Sequence, residues 1–371
     1  MNSFIKNWYT TNHEVLLKGR YIYLDSITAL LESYAQTFEV DIIGYSVNKN
    51  PIHKILLGSG PKRIMMWSQM HGNESTTTKA VFDLLKLISV DPEFSNEILS
   101  KSTLCIIPML NPDGAKAYTR VNANEVDLNR DAQNLSQPES KVLRQVYNEF
   151  KPDYCFNLHD QRTIFSVGNT NKPATVSFLS PAEDENRTVT PTRKKSMEVI
   201  AAINTMLQEE IPGQVGRYDD SFNINCVGDT FQSLGSPTLL FESGHYNNDY
   251  EREKTRELIF YSLVKAITYI VEKDVSGDNY ETYFDIPEND KLFLDIIYRD
   301  FPLIEDGKEK KTDIGILYKE TLVNNKIKFV PEVYSVGDLK QLCGHKELTN
   351  TDTKFSPTDI EGFILHYLAI V

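Results

Sequence analysis

His71 and Glu74 stand three residues apart, just after the apolar run Met65-Met66-Trp67-Ser68-Gln69-Met70 and just before the helix-friendly Ser75-Thr76-Thr77-Thr78. An imidazole and a carboxylate at such a corner, where a buried strand hands over to a helix, can hold a metal ion. In open α/β sheets these strand ends are where ligands bind. A lone His-x-x-Glu is a frequent chance pairing, so its meaning depends on what the rest of the chain adds. The chain adds His159, after the apolar run Asp153 to Leu158, and Glu242, after Thr238 to Phe241. A catalytic zinc takes three nitrogen or oxygen ligands and keeps one position open, and His71, Glu74 and His159 are the available set. Asn157 and Asp160 make the surroundings of His159 polar for a core histidine. Metal-assisted hydrolysis also needs a general base. Glu242, partly desolvated at its strand end, would have the raised pKa that suits proton shuttling. The plainer reading is an acid that caps the next helix. A further polar concentration runs from Arg120 to Asp131. There Arg130 beside Asn129 offers a fork and an amide for a carboxylate, and Arg120 could hold an oxyanion. Taken alone, such a segment is usually a solvated loop.

The elements that must position these groups can be read from hydrophobic periodicity. Residues 1–38 read as amphipathic helix, with Ile27, Leu30, Leu31, Tyr34 and Phe38 on one face. Val40 to Val47 and Ile52 to Leu57 read as a hairpin around Asn48-Lys49-Asn50-Pro51. Arg63 to Met70 is expected to be the strand that delivers His71, followed by a helix faced with Ala80, Val81, Leu84, Leu85, Leu87 and Ile88. Thr103 to Met109 reads as a strand buried on both faces and ends in Asn111-Pro112-Asp113-Gly114. Helices are expected from Pro138 to Phe150, Lys194 to Ile211 and Tyr250 to Val271, with residues 161–195 forming a polar loop and a short hairpin over the site. Alternating strands and helices predict an α/β fold: a mixed, mostly parallel twisted sheet with helices on both faces. Three of its strands would then end in His71, His159 and Glu242. After Asp274 the pattern changes to short alternating runs such as Ile314 to Tyr318 and Lys326 to Val330. This predicts a catalytic domain over residues 1–275 and a small β-rich C-terminal domain over 280–371. The latter carries no recognisable chemistry, and His345 and His366 read as structural or surface residues.

Composition sets the outer limits. The chain has 371 residues with 40% hydrophobic, enough for a large core. A net charge of −13 argues against a nucleic-acid partner and an anionic membrane surface. Cys105, Cys155, Cys226 and Cys343 are widely spaced, with no Cys-x-x-Cys pair, so free thiols are expected rather than disulfides or a thiolate metal site. No apolar leader or long apolar span occurs in the chain as given, so a cytoplasmic location and no membrane helix are expected.

Taken together, Gly44-Tyr45-Ser46, His71-Gly72-Asn73-Glu74, Asn111-Pro112-Asp113-Gly114, Arg120-Val121-Asn122-Ala123-Asn124, Val126-Asp127-Leu128-Asn129-Arg130, His159 and Glu242 resemble the zinc carboxypeptidase (carboxypeptidase A-like) family of metallopeptidases. The resemblance spans roughly residues 40–270. It implies one zinc per chain, held by His71, Glu74 and His159, with Asp127 orienting His71 and fixing its tautomer. It implies that Arg120 polarises the scissile carbonyl and that Asn129 and Arg130 hold the substrate's terminal carboxylate. Glu242 would activate water and then protonate the leaving amine. Family members often place a tyrosine some twenty residues before the base. Tyr218 is the nearest candidate, although Arg217-Tyr218-Asp219-Asp220 fits a surface tyrosine better. Asp160 stands where the family often has a small polar residue, which alters the local charge. His245 is close enough in sequence to touch the site but takes no role from the family. Val227, Gly228 and Asp229 fall where relatives shape the specificity pocket, and Asp229 would favour a basic side chain if it points inward. The expected activity is therefore removal of the last residue of a peptide. The alternatives are a same-fold amidohydrolase acting on N-acyl amino acids or cell-wall peptides, and a peptide-binding module without turnover. The complete set of ligands, base and arginine argues against the last.

Overall fold

A computed structural model describes residues 3–305 and 307–349 together with Gly362; His366 lies outside the described residues. Two helices, α1 (Ser3–Asn12) and α2 (Leu24–Tyr34), open the chain. They are separated by a non-helical stretch where the sequence predicts a single long helix. Arg20 in that stretch is buried, donating to the Tyr250 carbonyl at 3.4 Å and pairing with Glu320 at 3.0 Å. These long-range ties hold the stretch out of the helix.

The main sheet is built from β1 (Glu39–Tyr45), β2 (Pro51–Gly58), β3 (Lys62–Trp67), β4 (Ser102–Ile107), β5 (Tyr154–Asp160), β7 (Val176–Leu179), β8 (Val215–Arg217) and β9 (Thr238–Ser243), in the order β1-β2-β4-β3-β5-β9-β7-β8. The centre, β4-β3-β5-β9, is parallel, while the β1–β2, β2–β4 and β7–β9 pairs are antiparallel. The continuous apolar runs are explained by helices on both faces. Alternate residues of each strand enter opposite cores: Ile64, Met66, Leu104, Ile106 and Phe156 one, and Met65, Trp67, Cys105, Ile107 and Cys155 the other. α3 (Thr76–Val90), α4 (Pro92–Leu99), α7 (Pro191–Leu207) and α9 (Glu253–Glu272) contribute to the first core. α6 (Pro138–Phe150) and α8 (Val227–Ser233) cover the second, and the short α5 (Pro112–Ala117) follows the turn after β4.

A two-stranded ribbon, β6 (Ser166–Val167) with β10 (Asn289–Asp290), joins the loop after β5 to the C-terminal region. Beyond it, β11 (Phe293–Glu305), β12 (Lys308–Val323), β13 (Lys326–Gly337) and β14 (Cys343–Leu348) form a separate sheet in the order β13-β12-β11-β14. It has small cores of its own, one around Ile296, Phe301 and Ile316. Among the described residues, no helix is long and apolar enough to cross a membrane.

Candidate metal centre and substrate cleft

The strand leading to His71 is shorter than the sequence suggests. β3 stops at Trp67, and the chain turns at Gln69, whose φ of 47° is left-handed. The Gln69 side chain is buried, donates to the carbonyls of Ile22 and Gly72 at 2.7 and 2.9 Å, and accepts from Thr78 Oγ1 at 3.0 Å. Those bonds compensate the strained backbone. Gly72 is required here for space, because a Cβ would stand 1.9 Å from the Gly114 carbonyl carbon.

The turn presents His71 and Glu74 to His159. His71 Nδ1 lies 2.8 Å from Glu74 Oε1, His159 Nδ1 lies 2.8 Å from Glu74 Oε2, and the two Nδ1 atoms are 3.1 Å apart. All three side chains are buried. Ligand atoms arranged tetrahedrally around zinc would stand roughly 3.3 Å from one another, given zinc–nitrogen bonds of about 2.0–2.1 Å. Two imidazole nitrogens and a carboxylate already converging on one point therefore fit the ion. His71 Nε2 faces Asp127 Oδ1 at 3.0 Å, which leaves Nδ1 free of its proton for a metal. Burial opposes charge on both rings. In His71 the neighbouring Glu74 and Asp127 outweigh it and raise the pKa, whereas His159 remains below the ordinary value. Burial also pushes Glu74 up, but the two histidines hold its carboxyl well below the usual range. An Asp127→Asn variant should bind zinc about 10- to 100-fold more weakly, as read by competition with a chromogenic chelator; unchanged affinity would remove Asp127 from the centre.

Parallel pairing of β5 with β9 sets His159 opposite Glu242 and Asp160 opposite Ser243. Glu242 thus reaches the same strand end as the third donor. Its Oε2 is shielded from solvent with no hydrogen-bond partner among the described residues, and burial, Glu74 and Asp160 push its pKa well above the ordinary value. Asp160 is engaged elsewhere. It accepts the amides of Thr76 and Thr77 at 2.9 and 3.3 Å, capping α3, and the Ser243 hydroxyl at 2.9 Å. The residue that departs from the family pattern therefore ties together the segments that follow Glu74, His159 and Glu242.

Arg120 donates to Glu74 Oε1 at 3.2 Å and to Asp127 Oδ2 at 3.1 Å, with its side chain half exposed. Asn129 Oδ1 accepts the Val227 amide at 3.0 Å at the start of α8, while Arg130 is exposed and its guanidinium donates to the Asn129 carbonyl at 2.7 Å. All three line one cavity of about 1010 Å³ with the metal donors, Glu242 and Asp229. Asp229 is buried, accepts the Asn223 amide at 3.1 Å, and is pushed by burial up to about 6.

Tyr218 corrects its reading as a surface residue. It lines the cavity, its ring 5.3 Å from Phe165, and burial together with nearby Glu242 and Glu74 pushes its hydroxyl pKa well up. His245 does not line the cavity; it is buried, with neither ring nitrogen hydrogen-bonded among the described residues, and packs on His345 at 4.2 Å and Tyr250 at 4.7 Å. His345 itself is structural, 2.8 Å from the Thr163 carbonyl.

The C-terminal region also reaches the site. Lys291, Asp295, Leu317, Tyr318, Glu320 and Phe329 all line the cavity. Glu320 pairs with Arg20 and accepts from Tyr118, and Tyr318 packs on Tyr250 at 5.2 Å. No motif in the sequence marks these residues, because their relation to the site depends on how two sheets dock.

Residues 23–232 match the family model described as Zinc carboxypeptidase. The chain belongs to the zinc carboxypeptidase family. Within that family, it is 24% identical over 128 residues to Carboxypeptidase 2 of Trichophyton tonsurans, covering 34% of this chain and 22% of that protein. It is 38% identical over 80 residues to Gamma-D-glutamyl-L-diamino acid endopeptidase 1 of Lysinibacillus sphaericus, covering 19% of this chain and 20% of the relative. The match thus spans about a fifth of the length of these curated relatives. A metallo-carboxypeptidase from Burkholderia cenocepacia superposes with a TM-score of 0.55 at 18% identity, covering 67% of this chain and 69% of that one, which shows the shared fold. Zinc is the metal of this family, and the His71, Glu74 and His159 donors, mutually within 4.8 Å, are suited to it.

Proposed function

We propose that this zinc carboxypeptidase family member removes the C-terminal residue of peptides. The observation that carries this reading is Arg130, an exposed guanidinium without a carboxylate partner among the described residues, in the same cavity as the three metal donors and Glu242. A guanidinium fork with no ion pair of its own can take a substrate's terminal carboxylate, which an enzyme cutting within a chain does not need. Zinc held by His71, Glu74 and His159 would supply Lewis acidity and acidify water. Glu242 takes the proton from the attacking water and returns it to the leaving amine. Arg120, half exposed beside Glu74, meets the negative charge that develops on the carbonyl oxygen. Asn129 and Arg130 set the register so that only the last amide reaches these groups. The test is mass spectrometry of a mixed peptide pool incubated with the zinc-loaded protein. Stepwise loss of single C-terminal residues is expected, and internal cleavage alone would sink the reading.

Asp229 further suggests a basic leaving residue. Its carboxylate forms as pH rises through about 6, so the kcat/KM ratio of C-terminal Lys over Leu peptides should rise across that range. A ratio that is flat with pH would exclude Asp229 from recognition. The second reading, an amidohydrolase acting on N-acyl amino acids or cell-wall peptides, draws support from the C-terminal sheet. By walling the cleft it favours short substrates. Cleavage of N-acyl amino acids with all peptides left intact would favour it.

A further inference from the structure

The charged groups of the cleft divide into those with partners and those without. Asp160, Asp219, Asp229, Asp290, Asp295 and Glu320 all accept hydrogen bonds from the protein. Among the cations, Arg20 pairs with Glu320, Arg120 with Glu74 and Asp127, and Lys319 with Glu332. Arg130 is assigned to the terminal carboxylate under the proposed reading. That leaves Arg162 and Lys291, exposed side chains that line the cavity and have no ion pair among the described residues.

The fold brings these two together. β6 pairs antiparallel with β10, so the loop after β5 runs beside the segment leading into β11. Gln161 Oε1 accepts from Asn289 Nδ2 at 3.1 Å, and the Phe293 amide donates to the Ile164 carbonyl at 3.1 Å. Arg162 lies between these two anchors on one stretch, and Lys291 between them on the other. One lies on the loop that follows β5 of the main sheet and the other in the C-terminal region. Asp290, next to Lys291, accepts a backbone amide and keeps its charge, so what the two cations offer an anion is charged N–H donors on adjoining stretches of the cavity, not a net positive field.

We propose that Arg162 and Lys291 form a second anion-binding position, which takes a carboxylate on the acyl side of the scissile bond. This rests on the proposed carboxypeptidase reading, because Arg130 must be occupied by the terminal carboxylate for the acyl portion to extend toward this pair. The carboxylate has two possible sources: the side chain of an α-linked glutamate, or the main-chain carboxylate left free when a glutamate is joined through its γ-carbon.

The test compares zinc-loaded wild type on peptides that share a C-terminal residue and carry α-linked Glu, γ-linked Glu or Gln before it. At low salt, one Glu form should exceed Gln in kcat/KM by roughly fivefold, a ratio that shrinks as salt screens exposed charges. Whichever form is preferred identifies the source. The double variant Arg162→Ala, Lys291→Ala should bring the ratio close to one, and Lys291→Glu should turn it toward a Lys-containing peptide. Calorimetry with the zinc-loaded Glu242→Gln protein gives a readout independent of turnover, with the same Glu peptide expected to bind more tightly than its Gln counterpart. Peptides all cut with equal kcat/KM would overturn this inference while leaving the carboxypeptidase reading intact. If no peptide is cut, that reading fails, and equal calorimetric affinities would then overturn the inference as well.

Discussion

Replacing Glu242 with glutamine is expected to lower kcat by at least 10²- to 10⁴-fold, the range a positioned acid–base group supplies, while zinc content stays near one per chain. The side chain is nearly isosteric, so the β5–β9 register opposite His159 should survive. What disappears is the ability to accept a proton. In the wild type that ability is heightened by the surroundings: Oε2 has no hydrogen-bond partner among the described residues, and burial, Glu74 and Asp160 all disfavour the carboxylate. A raised pKa makes the carboxylate a stronger base toward the attacking water, and the proton it takes can then go to the more basic leaving amine. Steady-state kinetics on the best C-terminal substrate, together with metal analysis of the same preparation, gives both readouts. Wild-type turnover in this variant would show that another group moves the proton.

His159→Ala should act on the metal itself. With one imidazole gone, Glu74 and His71 are left as two donors, short of the three that a catalytic zinc takes. Zinc content after dialysis should fall from near one per chain to near zero, and turnover should fall with it. Stability offers a third readout. A ligand that binds only the folded state stabilises it by about 4 kcal/mol at a thousand times its dissociation constant. Zinc should therefore raise the melting temperature of the wild type and leave that of the variant unmoved. A variant that keeps stoichiometric zinc would exclude His159 as a ligand. The chelator-treated wild type distinguishes metal loss from general unfolding: a variant that has lost only its metal should melt with it, whereas a misfolded variant would melt below it.

The residues of the metal centre could be read from the chain because their signals are local. A buried parallel strand needs a continuous apolar run, so a polar residue that ends one, such as His159 or Glu242, stands out against it. The short spacing of His71 and Glu74 remains a sound signal even though β3 ends earlier than the apolar run suggests. The turn at Gln69 was not legible, since a left-handed glutamine is stabilised by partners as distant as Ile22.

The sequence by itself determined the α/β class, the family and the candidate donors, because burial periodicity and short-range spacing are properties of neighbouring residues. The tertiary structure alone decided what surrounds them. Asp160 became the cap of α3, Tyr218 turned into the cleft, and the C-terminal region brought Lys291, Tyr318 and Glu320 to its wall. Each of these depends on contacts between segments far apart in the chain. The Arg20–Glu320 pair, for example, joins residues at opposite ends of the protein, and neither residue carries a pattern that names the other.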